Sequence, residues 1–228
     1  MFIPSIAVAI MAILFKSPMQ RQDFGFNLKW IIIALLLMPI AIHSITLPLL
    51  WFLRDGHIQW MSTPLLLVIV RSVVGLVLVS FFAFFEEMGW RGWLMPRLLS
   101  IMSENTAIIV GALIWALWHV SFALGGVSSA EGLSRYQMLL IPLGTFGAGI
   151  IINWLWVCTK NILVVTIAHG SLNNWGQLAF KYIRDDESAL PLMIGVDVAL
   201  ILTGIIVMTL RERKEVQFPL DNFPPTGQ

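Results

Sequence analysis

Charge is scarce in this 228-residue chain: 14 Lys and Arg and 13 Asp and Glu make up 12% of it, against 58% hydrophobic residues and a mean hydropathy of +0.85. A soluble domain of this length covers itself with charge, about a quarter of its residues. That class is excluded, and an integral membrane protein is expected. Cysteine is nearly absent. Cys158 stands alone in an apolar run, so no internal disulfide can form and the thiol is expected to pack as a small hydrophobe. With a net charge of +1 and no basic cluster, no nucleic-acid partner is expected. Met1-Phe2-Ile3-Pro4 lacks a positively charged n-region, and no small-residue cleavage pattern follows, so no removable signal peptide is expected. Period-2 alternation is missing too, which excludes a transmembrane barrel and leaves helices, since only those two structures satisfy the backbone in lipid.

What is present is a series of apolar segments: Phe2 to Phe15, Trp30 to Leu53, Pro64 to Phe85 running on to Met95, Thr106 to Leu124, Met138 to Val157, Ile162 to Phe180, and Leu190 to Leu210. The expected fold is an all-α, polytopic transmembrane bundle of about seven spans with a polar cavity inside. The first segment is short for a hydrocarbon core that asks for about 20 residues, which points to a truncated, tilted or interfacial helix. Between Pro64 and Pro96 there is no proline, so one helix of about 45 Å at 1.5 Å per residue is expected to tilt or protrude.

Taken alternately, the loops place Lys16, Arg21, Lys29, Arg91, Arg97, Lys160, Arg211, Arg213 and Lys214 on one side and Arg54, Arg135, Lys181 and Arg184 on the other. The richer side is expected to be cytoplasmic, with the carboxyl end there and the amino end outside. Residues 1–210 read as one transmembrane catalytic domain, and 211–228 as a polar, Pro-containing tail.

Three segments carry chemistry. In Glu86-Glu87-Met88-Gly89-Trp90-Arg91, two carboxylates and a guanidinium follow an apolar run, at a depth where an unpaired charge costs several kcal/mol. Glu87 and Arg91 are four apart and share a helix face, whereas Glu86 is turned about 100° away and lines up with Trp90. Glu87 is therefore available as a structural ion pair and Glu86 as a general base; a plain salt bridge at a helix end is the competing reading of the pair. In Ile114-Trp115-Ala116-Leu117-Trp118-His119, the titratable group is His119, and a packing histidine is the alternative. In His169-Gly170-Ser171-Leu172-Asn173-Asn174, His169 and Asn173 are again four apart, so an imidazole and a carboxamide N–H could together hold an oxyanion, or make ordinary interhelical hydrogen bonds. His43 and His57 have no such company. Arg71, Asn153, Lys160 and Asp197 are further polar residues inside apolar runs; Asp197 could pair with Arg71, line a water cavity or sit protonated.

In this order, Glu-Glu-x-x-x-Arg, aromatic-x-x-x-His and His-x-x-x-Asn resemble the CPBP family of intramembrane proteases, which joins CAAX prenyl endopeptidases with bacterial proteins linked to bacteriocin processing and immunity. The likeness covers roughly Val79 to Trp175 and includes Gly149 to Asn161, the approach to His169. It implies that Glu86 and His119 bind and activate a water, that Arg91 braces Glu87, and that His169 and Asn173 steady the oxyanion. Two departures are Trp115 where the family often has Phe, and seven segments where about eight helices are usual, which suggests a short amino end.

The resemblance makes an intramembrane endopeptidase the leading expectation, acting on a lipid-anchored or membrane-inserted polypeptide, prenylated substrates included, in the lipid of a bacterial plasma membrane. Zinc is left open: Glu86, His119 and His169 could be three ligands with water in the fourth position, although no His-Glu-x-x-His helix favours this. Two alternatives remain, an ion- or proton-coupled transporter using the same polar residues as a path and a non-catalytic immunity or binding protein.

Overall fold

Each apolar segment becomes a helix in the computed structural model, which describes residues 2–14, 23–53, 64–124, 135–181 and 186–210. The tail 211–228, His57 and the loop cations Lys16, Arg21, Arg54, Arg184, Arg211, Arg213 and Lys214 lie outside the described residues. The helices are α1 (Ile3–Leu14), α2 (Leu28–Leu53), α3 (Leu65–Gly89), a π turn (Trp90–Leu94), α4 (Met95–Ile101), α5 (Glu104–Leu124), α6 (Arg135–Thr159), α7 (Ile162–Lys181) and α8 (Asp186–Thr209). Since α3, the π turn and α4 form one continuous rod, the described residues make seven rods, an all-α bundle. Among the described residues, four stretches are long and apolar enough to cross a membrane: Leu28–Leu53, Leu66–Ile101, Leu139–Thr159 and Leu190–Thr209.

The rod begun at Leu65 does not stop at Pro96, as the spacing of prolines suggested, but runs through it to Ile101. Proline has no N–H and crowds the preceding turn of an α-helix. Here that turn is widened to π geometry, with the Met95 N–H bonded to Trp90 O. Such single wide turns gather at functional sites, and this one carries Arg91.

Helix α7 is the inner element. It packs on α2 and α3, while α6 packs on α5 and α8. Ile151, Ile152, Leu155, Val164, Val165 and Ala168 of α6 and α7 are buried, together with Met38 and Ile42 of α2. By contrast Leu66, Val70, Val73, Val77 and Phe81 of α3 face outward, the surface that lipid covers. Helix α1 lies against the far end of α3: Pro4 rests on Gly89, and the Ser5 hydroxyl donates to Phe85 O.

Two details fix α7 in place. Pro39 inside α2 removes the N–H that would have bonded Leu35 O, and Ser171 Oγ of α7 donates to that carbonyl at 3.0 Å, so a backbone group freed by proline is satisfied from a neighbouring helix. At the other end α6 closes at Thr159 and Lys160 takes the left-handed conformation, φ 52°. Asn161 then caps α7, its Oδ1 accepting from the Leu163 and Val164 N–H groups at 2.9 and 3.2 Å, while its Nδ2 donates to Gly25 O at 2.7 Å.

Small residues set the distance between α7 and α3, as is usual in membrane bundles. A Cβ at Gly170 would sit 2.0 Å from Ser80 Oγ and 3.0 Å from Ser80 Cα. Gly170→Leu should therefore force the two helices apart and lower stability by about 1–3 kcal/mol. Thermal unfolding in detergent checks this, and an unchanged midpoint would contradict the close packing.

Candidate active site

The site is assembled from the α3 end outward. Glu87 is completely buried (0% exposed) and Arg91, one turn on, nearly so (1%). Arg91 Nη1 donates to Glu87 Oε1 at 2.9 Å, the pairing that their spacing anticipated. The same oxygen receives His169 Nδ1 of α7 at 2.8 Å. A carboxylate oxygen shared with a guanidinium can only accept, so Nδ1 of His169 carries the proton and its Nε2 is left for other partners. This bond links residues 82 positions apart and holds α7 to α3.

Arg91 makes a second bond, from Nε to Asn153 Oδ1 of α6 at 2.9 Å, and Asn153 Nδ2 donates to Ile108 O of α5 at 2.9 Å. Its guanidinium lies 4.7 Å from the centre of the Trp115 ring, a cation–π contact. Trp115 is the hub of the cluster: His169 and His119 meet it edge-on, with ring centres 5.0 and 5.3 Å away. His119 Nδ1 lies 2.9 Å from Trp115 O. A carbonyl likewise only accepts, so Nδ1 of His119 is the protonated nitrogen and Nε2 is the one with a lone pair.

Glu86, buried beside this group, stands within electrostatic reach of both Arg91 and His119. Trp90 and Trp118 meet edge-on at 5.9 Å next to it. Glu86, Glu87, Arg91, His119 and His169 are thus brought together from α3, the π turn, α5 and α7. Asn173 is half-buried one turn beyond His169 on α7. Glu87 Oε2 and Arg91 Nη2 have no hydrogen-bond partner among the described residues.

Among the described residues no group of three or more His, Cys, Asp or Glu side chains stands so as to hold a metal ion. One nitrogen of His169, Nδ1, is committed to Glu87, which leaves Nε2 for a further partner. What these side chains offer is acid–base and electrostatic chemistry.

Two members of the cluster had no role on sequence. Asn153 showed only as a polar residue in an apolar run, and Trp115 only as the aromatic of its motif. His43 stays apart, with Thr46 Oγ1 at 3.2 Å and Trp175 edge-on. Asp197 is buried on α8 against Gly144 of α6, whereas Arg71 is exposed on α3 and makes no ion pair with it.

A model of the family described as type II CAAX prenyl endopeptidase Rce1-like matches residues 68–175, the stretch that holds the whole cluster. The chain is also 31% identical over 156 residues to a protein named CAAX prenyl protease 2 from Methanococcus maripaludis. That alignment covers 64% of this chain and 55% of the relative, so the chain spans about half the length of the curated protein it matches. Buried acid pair, histidines and matched stretch coincide, so residues 68–175 are similar to the Rce1-like CAAX prenyl endopeptidases in the part of the chain that holds the cluster.

Proposed function

We propose that the chain is an intramembrane endopeptidase that hydrolyses a peptide bond of a lipid-anchored or membrane-inserted polypeptide, prenylated polypeptides being the substrate class that the family points to. The observation that carries this reading is the Glu87 carboxylate held by Arg91 and His169 together, with Glu86 and His119 beside it. Glu87 and Arg91 serve as the frame. Glu86 is then the general base and takes a proton from a water that His119 Nε2 also holds; the resulting hydroxide adds to the scissile carbonyl.

As the tetrahedral intermediate forms, its oxyanion accepts from His169 Nε2 and the Asn173 amide. Donation from Nε2 while Nδ1 stays on Glu87 requires the doubly protonated ring. Glu86 returns its proton to the departing amine, and the C–N bond breaks.

Residues 1–210 form the catalytic unit of this proposal and 211–228 its tail, with the carboxyl end on the cytoplasmic side of a bacterial plasma membrane, where the richer set of loop cations would lie. The test is purified protein in proteoliposomes with labelled prenylated and unprenylated peptides, with and without chelator. Cleavage that survives the chelator is expected. Loss of cleavage restored by zinc would overturn the metal-free mechanism, and ion flux without cleavage would support a transporter instead.

A further inference from the structure

We infer that Asn153 is the positioning residue of the site: it locks the Arg91 guanidinium, and through it fixes the Glu87 oxygen that orients His169. The inference rests on the hydrolase reading above for its kinetic part and on geometry alone for the rest. Arg91 uses two donors on different edges of its fork, Nη1 on Glu87 Oε1 and Nε on Asn153 Oδ1, each at 2.9 Å. One bond would leave the planar group free to turn; two bonds and the Trp115 face 4.7 Å away do not.

Asn153 is itself held, 1% exposed, by donation to Ile108 O on a different helix. Both ends of its carboxamide are therefore used, and the guanidinium is referred to the α5–α6 pair rather than to its own helix alone. His169 depends on this indirectly, because Glu87 Oε1 is the shared acceptor of Arg91 Nη1 and His169 Nδ1. If Arg91 swings, that oxygen moves and the imidazole loses the bond that orients its ring.

Asn153→Leu keeps the volume and removes both bonds. In the proteoliposome cleavage assay its kcat should fall about 10- to 100-fold, the range seen when a group that orients a site residue is lost, while KM holds. In ¹⁵N-histidine NMR spectra the protonated Nδ1 signal of His169 should shift or broaden. Gly111→Ala gives a second route to the same change, since a Cβ there would lie 2.9 Å from Asn153 Nδ2. That Cβ would also meet Met95 Sδ at 2.6 Å, the flexible end of a side chain, so Gly111→Ala is compared with Gly111→Ala/Met95→Ala, which removes that second contact. Gly111→Ala should reproduce both effects in weaker form, and it decides the matter if Asn153→Leu fails to fold.

A variant that unfolds at lower temperature but keeps the wild-type kcat and the wild-type His169 signal would overturn the inference, because Asn153 would then be an interhelical bond only. If the wild-type protein cleaves nothing, the protease reading fails while the NMR comparison still decides whether Asn153 sets the His169 geometry.

Discussion

Replacing Arg91 by alanine should destabilise the protein by about 3–5 kcal/mol, the cost of leaving one charge of a buried pair uncompensated. Glu87 is fully buried, and Arg91 is the cation bonded to it through four residues of the same helix. His169 touches the same oxygen but is charged only when protonated. Loss of the guanidinium also strands the Asn153 carbonyl oxygen and uncovers Trp115. For a chain of this size each kcal/mol lowers the midpoint by about 2–4 °C, so a fall of about 6–20 °C in detergent is expected. Arg91→Lys should recover little of it, because an ammonium is a point charge that cannot serve Glu87 and Asn153 from two edges of a plane. An alanine variant as stable as the wild type would mean that the pair is a surface-like contact, contrary to its burial.

Glu86→Gln should have the opposite profile, with the fold retained and turnover lost. The substitution is isosteric and removes only the capacity to take a proton. General-base catalysis contributes about 10²–10⁴ in rate, so peptide cleavage should fall by that factor or more while the thermal midpoint stays near that of the wild type. Cleavage at the wild-type rate by folded Glu86→Gln protein would remove Glu86 from the chemistry. The contrast between the neighbours is the informative part: Glu87 is tied by Arg91 and His169, so changes around it are expected to act on the fold first, whereas Glu86 is the proposed base.

The helices were legible in the sequence because lipid imposes a simple rule, long apolar segments with the backbone satisfied internally. The local geometry of the motifs was legible for the same reason: once Glu87 and Arg91 lie on a helix four apart, their contact follows. What periodicity could not supply were contacts set by the register of one helix against another. The His169 bond to Glu87 depends on how closely α7 approaches α3 at Gly170 and Ser80, and the Asn153 bond to Arg91 spans 62 positions. The spacing put His169 with Asn173 on one face, but not that Nδ1 would be spoken for and only Nε2 left for an oxyanion. The π turn was also out of reach, since Pro96 signalled a helix end and gave no hint that a widened turn would absorb it.

The central claim is that Glu86 and His119 act on one water as a unit. Cleavage rates of the wild type, Glu86→Gln, His119→Ala and the double variant, measured on folded protein in proteoliposomes, test it most directly. Groups that work as a unit show strongly non-additive losses. The double variant is therefore expected to be no slower than the slower single variant, and losses that multiply would contradict a shared role.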